Sequence, residues 1–225
     1  MTTPLSIELN TLKTVRLLFV LACVLASLHV AVMLLWYGDH LPFDDWWQIA
    51  LFDLDEEESF GTWFSAVILL IAGQLSLYEA YRGKHASQRW WLCWLCLGLG
   101  FHLLSVDEVA GMHEYLNTAV EDTPWTTFAA VLLGFVALFF LPFLWALPLR
   151  TRVLFIVAGL IYVGGAVGVE RGTDWYQDND LLDTLEYNLW TVVEEFMEMS
   201  GIILYIYALL DYVERSGRKL ALRLE

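Results

Sequence analysis

Residues 90–112 read WWLCWLCLGLGFHLLSVDEVAGM, an apolar run that ends in two adjacent carboxylates. The run carries no Lys, Arg, Asp or Glu before Asp107, and its length fits the roughly 17–25 residues that a helix needs to cross a bilayer. Ionisable groups inside a membrane are costly, and by default they indicate a functional site. Asp107 and Glu108 therefore raise the question of what else lies at their depth.

Five other runs are long and apolar enough to cross a membrane. Of the 225 residues, 58% are hydrophobic and 17% are charged, whereas an ordinary soluble domain has about 25% charged residues. We therefore predict an all-α polytopic membrane protein, a bundle of six transmembrane helices that forms a single domain over residues 1–225 in the lipid bilayer. The predicted helices span residues 14–37, 62–81, 90–112, 127–148, 153–170 and 188–210.

The basic residues are distributed unevenly about these spans. The net charge is −15, from 12 Lys and Arg against 27 Asp and Glu, which argues against a nucleic-acid partner because phosphate binding needs a basic surface. Every Lys and Arg except Arg171 lies before or at the very start of the first span, after the sixth, or in the second or fourth connection. The positive-inside rule makes that side cytoplasmic, so we expect both termini inside (N-in/C-in).

Three of the predicted helices carry a carboxylate at the same depth. Asp107 and Glu170 each lie 18 residues from the nearest basic residue on the predicted cytoplasmic side, and Glu198 lies 17 residues from it. At about 1.5 Å per residue, all three lie about 26 Å from the basic boundary. That depth is in the outer part of a hydrocarbon core about 30 Å thick. We expect the three carboxylates to converge in one site.

Further ionisable residues lie within about two turns of this depth. Glu194 and Glu198 are four residues apart and share one helix face. The expected metal ligands are Asp107, Glu108, His113, Glu114, Glu170, Glu194, Glu195 and Glu198. An oxygen-rich set with a single imidazole favours Fe²⁺ or Mn²⁺, with Zn²⁺ or Mg²⁺ as alternatives. Ala110 stands three residues before His113, so the Glu-x-x-His motif of soluble di-iron bundles is absent.

The charge of this set leaves two interpretations open. Carboxylates crowded in a low-dielectric setting repel one another, so either bound cations supply positive charge or several of the groups carry protons. The first interpretation indicates a metal site, which would be a di-metal centre in a membrane-embedded enzyme. The second indicates a proton- or cation-coupled secondary transporter. A third class is a non-catalytic accessory subunit, in which the carboxylates hold no metal.

Two smaller features carry less weight. His29 and His102 each lie 13 residues from a basic boundary, so a haem held by two histidines is conceivable, although polar residues packed between helices explain them more simply. Cys93 and Cys96 form C-x-x-C, and buried cysteine acting as a small hydrophobic residue is the simpler explanation than a redox or metal dithiol.

Several stretches resemble an uncharacterised family of small bacterial polytopic membrane proteins. They are LFDLDEEESFGTWFSA (51–66), LLSVDEVAGMHE (103–114), RTRVLFIVAGLIYVGGAVGVE (150–170) and EEFMEMSGIILYIYALL (194–210). The resemblance covers most of the chain from residue 51 onward and includes an S-x-D-E-x4-H-E and an E-E-x-x-E-M motif. It implies a multi-pass protein of the bacterial inner (cytoplasmic) membrane and no particular activity.

The residues favour a cation site that opens toward the periplasm between the third, fifth and sixth helices. If the protein is an enzyme, a metal there would activate water or oxygen on a small lipid-soluble or periplasmic substrate. A homo-oligomer with six helices in each subunit is also compatible with this prediction. No inverted repeat or pair of broken helices, features common in transporters, is visible in the sequence.

Overall fold

The computed structural model describes residues 5–8, 10–42, 45–112, 115, 125–218 and 221–224. Over these residues the fold is a bundle of long α-helices with one two-stranded ribbon. In chain order its elements are β1 (Leu5–Glu8), α1 (Thr11–Tyr37), α2 (Trp47–Ala50), α3 (Phe60–His85), α4 (Trp91–Ala110), α5 (Trp125–Ala146), α6 (Leu149–Val163), a π-helical segment (Gly164–Val169), α7 (Glu170–Asp178), α8 (Leu185–Arg215) and β2 (Ala221–Leu224).

Six helices in the described part of the chain are long and apolar enough to cross a membrane, which confirms that part of the prediction. They are α1, α3, α4, α5, α8 and the continuous helix Leu149–Asp178, which comprises α6, the π-helical segment and α7. This last helix continues eight residues beyond the predicted end at Glu170. Thr173 and Tyr176, three residues apart, are buried, and the Tyr176 ring packs 6.0 Å from that of Tyr187 on α8, so packing extends the helix through a polar sequence.

Side chains at the helix starts satisfy amide groups that have no partner within the helix. Asn10 accepts a hydrogen bond from the amide of Lys13, 3.0 Å away, at the start of α1. Ser59 caps α3 and Thr184 caps α8 in the same way. Helix α4 ends at Ala110. The next residue, Gly111, has a left-handed φ of 53°, and its amide donates to the carbonyl of Asp107, as is common at helix C-termini.

Helices α3 and α8 form the centre of the bundle. In the most apolar 18-residue stretch of each span, 50% of α3 and 61% of α8 is buried, whereas 22% or less is buried in each of the other four spans. Their buried side chains include Ile68, Leu69, Ile202 and Ile206. The remaining helices therefore pack around this pair and turn much of their apolar surface outward.

Ion pairs join the helices at one end of the bundle, here called the basic end. Glu79 of α3 is 1% exposed and accepts from Arg82 at 3.1 Å and from Arg218 at 2.6 Å. Asp211 of α8 accepts from both Arg150 and Arg215. Because buried charges need partners, these contacts tie the end of α8 to α3 and α6.

The antiparallel β1–β2 ribbon differs from a purely helical prediction. It pairs Leu5 with Leu224 and Glu8 with Ala221. Beside it, Thr11 of α1 donates to Glu214 of α8 at 2.5 Å. Four-residue strands more than two hundred positions apart leave no local sequence pattern that predicts their pairing. The ribbon places residues 5–8 and 221–224 together at the basic end.

Candidate functional site

A cavity of about 260 Å³ lies among the spans at the end of the bundle opposite the basic end, here called the acidic end. It is bounded by the connection before α3 and by residues from α3, α4, α5, α6, α7, α8 and the π-helical segment. No Lys, Arg or His is found among the described residues that line it. The carboxylates that line it are Asp55, Glu57, Asp107, Glu108, Glu170, Glu194, Glu195 and Glu198.

Six of the eight residues expected as metal ligands line this cavity, from three different spans. The other two, His113 and Glu114, lie outside the described residues. Among the described residues, no three His, Cys, Asp or Glu side chains are arranged to hold one metal ion. Ion binding would therefore require rotation of these carboxylates, so their role as ligands stays a prediction.

The π-helical segment brings the fifth span against the glutamates of α8. At Gly165 a Cβ atom would lie 2.8 Å from the carbonyl oxygen of Glu194 and 3.0 Å from Cγ of Glu198. Only glycine permits that approach without a shift of the helices. Glu170 begins α7 directly after the segment. Single π-helical turns are frequent at functional sites. This one leads directly into α7, which carries Glu170, and packs against α8, which carries Glu198.

Tyr162 and a second close approach set the deeper wall of the cavity. At Gly201 of α8 a Cβ atom would lie 2.7 Å from the backbone nitrogen of Tyr162, so α6 and α8 are nearly in backbone contact there. Tyr162 and Glu198 both line the cavity at this wall. Tyr162 could not be predicted from the sequence, because a tyrosine in an apolar helix carries no distinguishing pattern.

Two carboxylates of the connection before α3 stand at the mouth of the cavity. Asp55 and Glu57 are both exposed and both line it. A Cβ atom at Gly111 would overlap Oε1 of Glu57, so this glycine leaves room for the carboxylate beside the end of α4. Both residues belong to the acidic stretch DLDEEE, but nothing in the local sequence shows that this stretch folds back over α4.

His29 holds that connection in place from inside the bundle. The amide of Leu54 donates to Nδ1 of His29 at 3.0 Å, and Nε2 lies 2.9 Å from the carbonyl oxygen of Asn188. Because the amide can only donate, Nδ1 is an acceptor and the ring proton is on Nε2. Asp53, buried beside the ring, accepts from the amide of Asp55 at 3.0 Å. His29 thus positions the residues that stand at the mouth.

The second histidine and the cysteines lie elsewhere. His102 contacts the carbonyl oxygen of Gly98 through Nδ1 at 2.7 Å and the Gln74 amide nitrogen through Nε2 at 3.0 Å. Both ring nitrogens of His29 and of His102 therefore have protein partners, as in polar residues packed between helices. Cys93 is buried, Cys96 is exposed, and both are free thiols.

Helix α5 closes one side of the cavity. At its start, Trp125 donates to Glu170 at 2.5 Å, and Arg171 donates to the hydroxyls of Thr126 and Thr127 at 3.2 and 3.1 Å. Near its other end, the buried ring of Phe143 packs 5.0 Å from that of Trp94. Between these points Ala129, Leu132 and Leu133 form an apolar wall of the cavity. Only 6% of the most apolar 18-residue stretch of α5 is buried. The helix thus contacts its neighbours near both ends, and most of its apolar surface is exposed.

A second pocket of about 390 Å³ adjoins the first and shares Asp55 with it. Aromatic donors reach several of its carboxylates. Tyr37 donates to Asp183 at 2.9 Å, and Trp46 donates to Glu56 at 2.8 Å. Tyr187 donates to Asp55 at 3.3 Å. These donors are neutral, so they leave the negative charge of the pocket in place. The acidic end therefore presents a negative rim that leads to the cavity.

The fold and the cavity define a class of protein, a multi-helix bundle able to span a membrane, with a carboxylate-lined cavity at one end. The chain belongs to the family described as a domain of unknown function (DUF8692), whose match covers residues 17–213. That range includes every described residue that lines the cavity. Neither the curated proteins nor the solved structures contain a significant match to this chain.

Proposed function

We propose that the cavity binds divalent cations, with Fe²⁺ or Mn²⁺ favoured and Zn²⁺ or Mg²⁺ as alternatives, and that it serves a membrane-embedded enzyme. The observation that carries this proposal is that eight carboxylates and no described basic residue line one cavity. Two unit charges about 4 Å apart repel by about 4 kcal/mol at an effective dielectric near 20. Bound cations remove that repulsion, and oxygen ligands are those that Fe²⁺, Mn²⁺ and Mg²⁺ prefer.

The proposed ligands are Asp107, Glu170, Glu194 and Glu198, together with His113. Glu108, Glu114 and Glu195 would orient these ligands or carry protons. A divalent ion held here would act as a Lewis acid that polarises a substrate oxygen or lowers the pKa of water. The protein would supply the positions of the oxygens, and Tyr162 would complete the deeper wall of the cavity.

The composition of the cavity wall favours a lipid-soluble substrate over a periplasmic one. Leu104, Leu132, Leu133, Val163 and Val167 line the cavity beside the carboxylates. Leu104 belongs to α4, and Leu132 and Leu133 belong to α5, which is the least buried of the six spans. An amphiphile in the bilayer would enter past this part of α5 and present an uncharged or cationic polar group, because the carboxylates repel an anion.

We further propose a bacterial inner-membrane location with the basic end in the cytoplasm. The positive-inside rule supports this orientation, since eleven of the twelve Lys and Arg residues belong to that side. The cavity would then open toward the periplasm, and the negative pocket beside it would gather cations at its mouth.

One observation favours a proton- or cation-coupled transporter as a second candidate. A buried polar cluster lies nearer the basic end, where Ser76 and Tyr205 are hydrogen-bonded at 2.8 Å and Glu79 is one turn further along α3. Ser76 is 11 residues from Ser65, about 16 Å along α3 and within about 20° of the same face. Buried Ile68, Leu69 and Ala72 separate the two levels, as a closed gate would.

Metal analysis of the purified protein tests the proposal. The wild type, a Glu194→Gln/Glu198→Gln variant and an Asp178→Asn/Asp180→Asn control would be purified in detergent without chelators. Asp178 and Asp180 are exposed carboxylates that do not line the cavity. We expect about one equivalent of metal or more in the wild type and the control, and a loss of at least about tenfold in the cavity variant.

Two outcomes would contradict the metal site. Wild-type protein holding less than about a tenth of an equivalent of Fe, Mn, Zn and Cu after anaerobic reloading would rule out the proposed transition-metal affinity. A cavity variant that retains the wild-type metal content would place the ion elsewhere. If no metal binds, proton flux in vesicles containing the wild type and the same variants would test the transporter.

A further inference from the structure

Ser65 of α3 is a buried polar side chain without a protein partner. It is 4% exposed, and its hydroxyl makes no hydrogen bond to any described residue. Buried hydroxyls are nearly always paired, and a serine inside a helix usually bonds the carbonyl four residues earlier. Ser76 of the same helix does so, donating to Ala72 at 2.8 Å. The Ser65 hydroxyl is therefore exceptional within its own helix.

The hydroxyl lies at a narrow gap beneath the carboxylate cavity. Three other polar residues line this gap, namely Glu108, Tyr162 and Glu198, and all three also line the cavity above it. The rest of its lining is apolar and includes Met199 and Ile202. The gap thus forms the floor of the cavity, and it leaves no room for a water molecule. Water cannot be the partner that the Ser65 hydroxyl lacks.

We infer that this floor is an inner cation site, in which the Ser65 hydroxyl and the Glu108 and Glu198 carboxylates bind one dehydrated divalent ion. A bare ion is smaller than a water molecule, and its charge attracts two carboxylates and a hydroxyl oxygen at once. These oxygen ligands select a hard ion such as Mn²⁺, Fe²⁺ or Mg²⁺. The inference rests on the proposed function. It adds a second, deeper ion to that bound near Glu170 and Glu194, and it makes Glu108 a ligand of this inner ion instead of an orienting group.

Three serine variants test this site in the full-length protein. Ser65→Ala removes the oxygen, and Ser65→Cys replaces it with a sulfur of similar size. Ser200→Ala is the matched control, because the Ser200 hydroxyl is also buried and without a described partner but lines neither cavity nor floor. Each detergent-purified variant would be stripped of metal and titrated with Mn²⁺ and separately with Zn²⁺, and its bound metal counted.

We expect the wild type and Ser200→Ala to bind two Mn²⁺ ions. In Ser65→Ala the affinity for one of them should fall at least about tenfold, as when a supporting group of a metal site is lost. Ser65→Cys should change the preference of that site from Mn²⁺ to Zn²⁺, because thiolates favour the softer ion. A general structural defect would not produce this exchange of metal preference.

Wild-type Mn²⁺ stoichiometry and affinity in Ser65→Ala would overturn the inner site while leaving the proposed function intact. Absence of metal from the wild type would overturn the proposed function instead. If Ser65→Ala aggregates, the nearly isosteric Ser65→Cys decides, and an unchanged preference for Mn²⁺ over Zn²⁺ would overturn the inner site.

Discussion

At the scale of single residues, His29 joins three segments that are distant in the chain. It is fully buried on α1, accepts from the amide of Leu54 and contacts the carbonyl of Asn188. A ring with its proton on Nε2 satisfies both groups at once. The side chain therefore links the start of α8 to the connection before α3, which contains Asp55 and Glu57.

His29→Phe should lower the stability of the protein. Phenylalanine fills a similar volume but leaves the Leu54 amide and the Asn188 carbonyl without this partner, at a cost of about 1–3 kcal/mol for each buried group. We expect a lower midpoint of thermal unfolding in detergent than in wild type. His85→Phe, at an exposed position, is the control, and equal midpoints for the two variants would contradict the role of His29.

Single residues also show what sequence patterns predict well. Counting from the basic boundary predicts a shared depth for Asp107, Glu170 and Glu198, because the rise of a helix is constant, and all three line one cavity. Ser65 could not be predicted in this way. A serine in an apolar helix normally bonds its own backbone, and only the packing of three other helices shows that this one does not.

At the scale of elements, the contact between the fifth and sixth spans positions much of the cavity. The sequence GGAVGV, inside the fifth span, forms the π-helical segment, and its small residues allow the backbone of α8 to approach closely. The run of glycines indicates close packing, but the change of hydrogen-bonding pattern depends on contact with α8 and has no local signal. Helix α7 also has no local sequence signal, because tertiary contacts extend the helix through a polar sequence.

Gly165→Ala should disturb the cavity far more than Gly159→Ala. The added methyl at Gly165 meets the backbone of Glu194 at 2.8 Å, whereas at Gly159 nothing lies within 4 Å. Overpacking of this kind costs about 1–3 kcal/mol, so we expect a lower unfolding midpoint and weaker metal binding for Gly165→Ala alone. Similar midpoints and metal contents for both variants would show that the two helices can separate freely there.

At the scale of the whole molecule, the two ends of the bundle differ in how they treat charge. At the basic end most buried charge is paired, as where Glu79 meets Arg82 and Arg218. At the acidic end the carboxylates meet neutral donors such as Trp125 and Tyr37. One end therefore pairs its buried charges, and the other gathers carboxylates around a cavity that no described Lys or Arg lines.

Glu79→Gln should destabilise the basic end. Removing a buried charge leaves Arg82 and Arg218 without their counter-ion, and breaking such a pair costs about 3 kcal/mol. We expect a lower unfolding midpoint and faster proteolysis after Arg215, with metal content unchanged. Glu58→Gln, at an exposed carboxylate, is the control. Proteolysis of Glu79→Gln at the rate of that control would argue against anchoring by Glu79.

The proposed orientation in the membrane can be tested with reporter fusions. A reporter inserted after residue 120 should respond as periplasmic, and one at the C-terminus should respond as cytoplasmic, because basic residues hold their side of the membrane inside. Reporters placed after residue 180 and before residue 10 give an independent pair. Signals from the same side for residue 120 and the C-terminus would contradict six spans.

The β1–β2 ribbon has a consequence for the order in which the protein is made. Leu5 pairs with Leu224, so at about 5–20 residues per second the first strand waits about 10–40 s after its synthesis for a partner. All six spans are made within that interval. The ribbon can form only after the last helix and β2 have been made, so its pairing marks the completion of all six spans. A chain interrupted earlier keeps the edge of β1 unpaired.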